Sequence, residues 1–209
     1  MPLVSTWENS LTDTEDEQLR QRIAKATPKQ TIRGFFFHSL LQAIRENDHS
    51  PNAVADALEA AGLKGQRWTI MANYPISDYN KLRLVVCDKL AKKHPIAYAD
   101  AAMQLAKYAT EGFFRTLPGR TMKIVSSRQP HRLMAAAPRG YDAIINDGGF
   151  RTYQPTSERA GVFTFVGDTI GPAHQAGVFL TAHKIICKVD PNLRVVQNNL
   201  TDFKLYLEW

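Results

Sequence analysis

The amino-acid sequence predicts an α+β fold: a helical layer followed by a small antiparallel sheet with a strand, helix, strand, strand ending. Three observations carry this. Before Asp147-Gly148-Gly149 the apolar residues recur every three to four positions, as on the buried face of a helix. After it, residues 162–166, 193–196 and 203–209 read as strands, rich in β-branched and aromatic residues, the last with strict alternation. Between the first two lies one helical stretch opened by Gly171-Pro172. With 209 residues, 44% of them hydrophobic, the chain is long enough to bury one core shared by both layers.

The expected organisation is a polar N-terminal segment over 1–30 with one helix, then a single α+β domain over 31–209, helical at 31–146 and sheet-forming at 147–209. Residues 1–11 carry no pattern and are expected to be loosely ordered. Thr12 or Asp13 caps a first polar helix running to Ala26, whose early acids suit the positive end of the helix dipole, and Pro28 ends it. From 31 to 44 the apolar residues fall at 32, 36, 40 and 43 and also at 37, 41 and 44, a stripe wide enough for a central helix. Ser50-Pro51 opens a short helix that stops near Gly62, and residues 68–75 form a connector bringing aromatic residues onto the helical layer. Ser77-Asp78 caps a helix with Tyr79, Leu82, Val86 and Leu90 on one side, ended by His94-Pro95. A longer helix is expected from about Ile96 to Leu117, with Met103, Ala106, Phe113 and Leu117 inward; Gly112 within it costs about 1 kcal/mol against alanine and points to close packing.

Pro118-Gly119 reads as a break, and the segment beyond as helical at least over 121–127, with Pro130 and Pro138 limiting its continuity. A first strand is expected over 150–153 and a clearer one over 162–166. A helix then runs to Ile186, and Asp190-Pro191-Asn192 and residues 198–202 turn the chain into the last two strands. Phe203, Leu205, Leu207 and Trp209 share the core-facing side of the final strand.

No stretch reaches the roughly 20 apolar residues of a membrane span, and the first residues lack a signal-peptide pattern, so a soluble, cytoplasmic protein is expected. Cys87 and Cys187, without CxxC spacing or neighbouring histidines, read as two reduced core thiols. The net charge of +6 is unevenly spread. From Gly112 to Tyr141 there is no acid, only Arg115, Arg120, Lys123, Arg128, Arg132 and Arg139 with His131 among them. Either this face is neutralised by acids from elsewhere, such as the run Asp13, Glu15, Asp16 and Glu17, or it attracts an anionic ligand, an acidic partner or nucleic acid. Arg115, Arg120 and Arg128 are the anion-binding candidates.

There is no glycine-rich phosphate loop, no HExxH, no GxSxG and no CxxC, so no catalytic residue is assigned and the reading leans against an enzyme. None of the six histidines pairs at i, i+4, and His174 and His183, nine apart on one helix, stand about 180° from each other, so no metal site is expected.

The segments Ile32-Arg33-Gly34-Phe35-Phe36-Phe37-His38, Tyr74-Pro75-Ile76-Ser77-Asp78-Tyr79, Gly112-Phe113-Phe114-Arg115-Thr116-Leu117-Pro118-Gly119-Arg120 and Ile170-Gly171-Pro172-Ala173-His174-Gln175-Ala176-Gly177-Val178 carry a family likeness. From about residue 30 to the end the chain resembles a paralogous family of roughly 200-residue myxobacterial proteins with a domain of unknown function, and so implies a bacterial protein. More distantly its architecture is similar to heme-nitric-oxide-binding sensor domains, vinyl-reductase-type ligand-binding domains and TRAPP subunits. Heme sensors of that architecture use a histidine on the helix before the sheet and a Tyr-x-Ser-x-Arg motif for the heme carboxylates. The resemblance places His131 in the first role and Tyr153, Ser157 and Arg159 in the second, with two extra residues between tyrosine and serine.

The function expected is therefore a non-enzymatic small-ligand-binding or regulatory, sensor-like domain with an apolar pocket between helices and sheet. Phe36, Phe37, Met103, Phe113, Phe114 and Phe165 are its candidate lining, or else simply core. The alternatives are an interaction module built on the basic segment 115–139, docking an acidic protein or nucleic acid, and a heme or tetrapyrrole sensor. The alternating last strand is also a candidate for pairing across a homodimer, although alternation alone does not show whether its edge is free.

Overall fold

The structure, a computed structural model, describes residues 6–9 and 14–209. Helix α1 (Glu15–Lys25) starts after Thr14, whose backbone N–H donates to the Glu17 carboxylate at 2.8 Å, and Glu15, Asp16 and Glu17 fill the first turn, where the helix dipole favours negative charge. The alternative caps Thr12 and Asp13 lie outside the described residues, as do residues 1–5 of the segment expected to be loosely ordered. Residues 10 and 11 of that segment also lie outside the described residues, and Thr6–Asn9 forms strand β1 rather than a loose stretch.

The helix expected from residue 31 is divided. Thr31–Arg33 is strand β2, the centre of a three-stranded antiparallel sheet with β3 (Asn73–Pro75) and β4 (Ile145–Asn146), and α2 (Phe35–Asn47) follows. β-branched Thr31 and Ile32 favour the extended backbone. Gly34 joins the two because a Cβ there would stand 2.1 Å from the Thr69 carbonyl oxygen. Helices α3 (Ala53–Ala60), α4 (Ile76–Lys93) and α5 (Tyr98–Phe113) complete the layer around α2, and α1 packs on α4.

Helix α5 ends at Phe113, short of the expected Leu117, which instead opens α6 (Leu117–Ser126). Thr116 Oγ accepts a hydrogen bond from the Gly119 N–H, and Pro118 sits in the first turn, where its missing N–H removes no helical bond. Pro118-Gly119 is thus a beginning rather than a break, and Leu117, expected inward, is 78% exposed. Helix α7 (Pro130–Asp142) also carries proline in its first turn and Pro138 within, so the basic segment is two helices.

The larger sheet contains β1, β5 (Phe150–Ser157), β6 (Ala160–Val166), β7 (Asn192–Gln197) and β8 (Phe203–Glu208) in the order β1-β7-β8-β6-β5, so the last strand, a candidate for pairing across a homodimer, is central and has no free edge. The β1–β7 pair is parallel and the others antiparallel, so the sheet expected to be antiparallel is mixed. On its inner face Phe163, Phe165, Val195, Phe203 and Leu205 are fully buried, and Phe165 stacks on Phe203 with ring centroids 4.5 Å apart. Helix α8 (Pro172–Ala182) lies between this sheet and α5, so it is buried almost all round and carries no polar stripe. Its close approach to α5 depends on Gly177, whose Cβ would fall 2.5 Å from the Met103 carbonyl oxygen. The chain then widens into a π-turn at His183–Cys187. Cys87 and Cys187 are free and buried, and among the described residues no helix is long and apolar enough to cross a membrane.

Candidate ligand cavity and its surroundings

Where α5, α7 and α8 diverge, they leave a cavity of about 60 Å³. Helix α5 and the turn after it supply Thr110, Phe113 and Phe114; α7 supplies Leu133, Ala137 and Tyr141; α8 supplies His174, Gln175, Val178 and Phe179. Phe36, Met122, Ile144 and Ile145 close the remaining sides. Of the six aromatic and methionine residues expected as lining, Phe36, Phe113 and Phe114 face this space. Phe37 stacks on Trp68 at 4.5 Å, Phe165 belongs to the sheet layer, and Met103 is buried against Gly177.

Two polar features meet the cavity. Behind α8, Asp168 accepts from the backbone N–H groups of Ile170 and Gly171 at 2.9 and 2.7 Å, from Gln175 at 2.9 Å and from the Arg151 guanidinium at 2.9 Å. The Tyr141 hydroxyl donates to Gln175, so a continuous buried chain links Arg151 to the cavity wall. Burial pushes the Tyr141 phenol up, keeping it a neutral donor. The second feature is His174, whose Nε2 lies 3.4 Å from the Tyr79 hydroxyl and whose Nδ1 has no well-formed hydrogen bond. Desolvation, reinforced by the nearby Arg83 guanidinium and opposed only weakly by the Ala102 backbone, holds its pKa well below the usual imidazole value. His174 is therefore neutral at physiological pH. A polar pair in the first turn of an otherwise apolar helix was the sequence signal for His174 and Gln175; nothing in the sequence pairs Arg151 with Asp168.

The four residues assigned to heme by resemblance gather elsewhere, at the N-terminus of α7 and the far end of β5 and β6. His131 Nε2 lies 3.0 Å from the Glu158 carbonyl oxygen, which can only accept, so Nε2 carries the proton and donates. Its Nδ1 lone pair accepts from the Tyr153 hydroxyl. The ring also packs edge-on against Trp209 at 4.8 Å. Ser157 Oγ accepts from the Arg159 N–H, and the Arg159 guanidinium donates to the Trp209 carbonyl. None of the four lines the cavity.

On the other side of Trp209 stands His183, whose Nδ1 donates to the Phe179 carbonyl at 2.8 Å and whose Nε2 has no partner. Burial lowers its pKa to about 4 from the usual 6.5. The sign follows from which state takes up the proton. Above pH 6.5 neither state binds it and stability is unaffected; between 6.5 and 4 the unfolded chain binds a proton the native site refuses, so stability falls with pH. At about 1.4 kcal/mol per pKa unit the loss approaches roughly 3 kcal/mol at the acid end. Urea unfolding between pH 7.5 and 4.5 should show this decline, and His183→Phe should make it shallower.

Arg115, Arg120 and Arg128 are all exposed, spread along α6 and its flanks rather than converging on one point. Among the described residues of the N-terminal acidic run, none neutralises them; Asp13 lies outside the described residues. Glu15 pairs with Arg22 at 3.3 Å, and Asp16 and Glu17 accept from Thr14. Among the described residues no ion pair involves any cation from Arg115 to Arg139.

Residues 25–209 match a family described as "Protein of unknown function (DUF2378)". The chain belongs to this family. No curated protein matches the DUF2378 chain in sequence. Solved structures do match in fold. An Fe(II) unliganded H-NOX protein from K. algicida is similar with a TM-score of 0.60 and 10% identity, over 85% of this chain and 96% of that one. A Cs H-NOX mutant carrying 4-cyano-L-phenylalanine gives 0.62 and 10%, over 85% and 96%. A Tt H-NOX variant gives 0.62 and 8%, over 85% and 94%. The DUF2378 chain thus has the H-NOX fold.

Two of the matched structures concern heme and its distortion, one of them in the H-NOX family. The four residues assigned to heme by resemblance do not form a heme site as they stand in the DUF2378 chain. A histidine ligand needs a free nitrogen lone pair, and His131 has its one lone pair occupied by the Tyr153 hydroxyl. The cavity, at about 60 Å³, is also far below the roughly 300–1,000 Å³ of a site for a drug-sized ligand.

Proposed function

We propose that this chain is a non-enzymatic, sensor-like domain that binds a small apolar molecule in the cavity between α5, α7 and α8, without heme. The observation that carries this is the cavity's lining: apolar side chains from three helices, with a neutral His174 and Gln175 among them. Empty cavities of this character stay dry and take up apolar molecules, and one of about 150 Å³ accepts benzene. At about 60 Å³ the space suits a ligand of only a few heavy atoms. The fold adds support, since structures that share it concern heme in the H-NOX family, one of them an Fe(II) unliganded H-NOX protein.

The test uses methyl-labelled protein titrated with xenon. Saturable shifts should appear at Met122, Leu133, Ile144 and Val178, and vanish in Ala137→Leu, which fills the cavity from α7. Absence of saturable shifts, or shifts that survive Ala137→Leu, would overturn the reading. Hemin forms the opposing arm: a Soret band that persists through desalting and is lost in His131→Ala would replace the apolar-ligand reading with a tetrapyrrole sensor.

A further inference from the structure

Helix α6 wears its amphipathicity outward. Leu117, Ile124 and Val125 are 78, 77 and 55% exposed, whereas its buried positions are the small Gly119 and Ser126. This is a built arrangement, because Gly119 lets the helix rest on the Phe113 carbonyl, 2.1 Å from where a Cβ would stand. An apolar helix face normally covers the core of its own chain; here small residues do that work and the large ones are left free.

Beside this face, α6 and α7 enclose an open groove of about 890 Å³. Val125 and Met122 form one wall, Ala135, Ala136 and Gly140 the floor, and Arg132 and Arg139 stand on the rim. The two arginines are seven residues apart on α7, two turns, hence about 10 Å along its axis. Neither has an ion-pair partner among the described residues, and Arg120, Lys123 and Arg128 add to the positive field around the groove.

We propose that the α6–α7 groove docks an acidic amphipathic helix of a partner protein. Its apolar side chains would fill the alanine-floored groove between Val125 and Ala136, and carboxylates one heptad apart would meet Arg132 and Arg139. Helix-in-groove recognition needs an apolar trough wide enough for side chains plus flanking charge to fix register, and both are present. Charge complementarity selects an acidic partner. A nucleic-acid backbone would satisfy the arginines but leave Leu117, Ile124 and Val125 against polar groups. A flat anionic membrane would meet Leu117 and Ile124 but not reach the floor at Ala135 and Gly140. This inference does not depend on what occupies the internal cavity.

The test is fluorescence anisotropy with the full chain and a labelled synthetic peptide of about 18 residues, long enough to form a helix, with leucines at a and d and glutamates flanking them. A second peptide carries lysine in place of every glutamate. The expected result is saturable binding of the acidic peptide only, weakened at least tenfold by Ala135→Trp, which blocks the groove from an exposed position. The charge-reversed variant Arg132→Glu/Arg139→Glu should lose the acidic peptide and gain the lysine one. Failure of the acidic peptide to bind, equal binding of both peptides, or insensitivity to Ala135→Trp would each overturn the proposal. So would sedimentation with phosphatidylserine-containing vesicles that depends on Leu117 and Ile124 while neither peptide binds, which would assign the surface to a membrane.

Discussion

Asp168→Ala is expected to lower folding free energy by about 3–5 kcal/mol, because it removes one partner of a buried ion pair and strands the other. The Arg151 and Asp168 side chains are 3 and 1% exposed, and Asp168 alone receives four hydrogen bonds. Two come from the backbone at the start of α8, where a negative charge also answers the helix dipole. Without the carboxylate, the guanidinium keeps the Gly148 carbonyl, at 2.8 Å, and its place over the Tyr141 ring, 4.6 Å from the centroid, but has no counter-charge. The double variant Arg151→Met/Asp168→Ala should recover part of the loss, since no charge is then left in the core, although the Ile170 and Gly171 N–H groups remain unpaired. Urea midpoints for the two single variants and the double one give the coupling energy directly. A cost below about 1 kcal/mol for Asp168→Ala would mean that water reaches the pair.

Phe179→Ala should be comparably costly, about 3–5 kcal/mol, but its effect is reversible by ligand. Phe179 is 2% exposed, lines the cavity, and packs on Phe163 with ring centroids 4.7 Å apart. Removing the ring joins its volume to an existing space of about 60 Å³, so the enlarged cavity approaches the size that admits benzene. Saturating benzene should then raise the melting temperature of Phe179→Ala by several degrees and that of the unaltered chain by less, through simple mass action. Equal shifts in both proteins would show that the new space had collapsed rather than remained open.

The two-layer plan was legible because hydrophobic period changes at a definite point, and period is what layer packing requires. The α4 helix, the final strands and the α8 start at Gly171-Pro172 all followed from it. What escaped was set by partners distant in sequence. Thr31–Arg33 became a strand because Asn73–Pro75 and Ile145–Asn146 lie on either side of it, and no local pattern reveals such pairing. Thr6–Asn9 joined the sheet for the same reason. Pro118-Gly119 was misread because the same dipeptide can stop a helix or start one, and the deciding group is the Thr116 hydroxyl just before it. At the site, aromatic residues were legible as apolar but not as cavity or core: Phe36 and Phe37 are neighbours, yet only Phe36 faces the cavity. The resemblance gave His131 and Tyr153 separate roles toward heme; their direct hydrogen bond, and the tautomer that the Glu158 carbonyl sets, come only from the folded arrangement.

Met122 and Gly140 belong to both spaces, the internal cavity and the outer groove, and a Cβ on Gly140 would stand 2.4 Å from the Met122 terminal methyl. One flexible thioether and one glycine are thus all that part the two spaces at this point. A molecule that displaced Met122 from one side would alter the volume available on the other, and occupancy of the two spaces would then be thermodynamically linked. That linkage is reciprocal: whatever factor an internal ligand imposes on outer affinity, an outer occupant must return to the ligand. A more rigid side chain in place of Met122 would therefore change the cooperativity between the two spaces before it abolished either one.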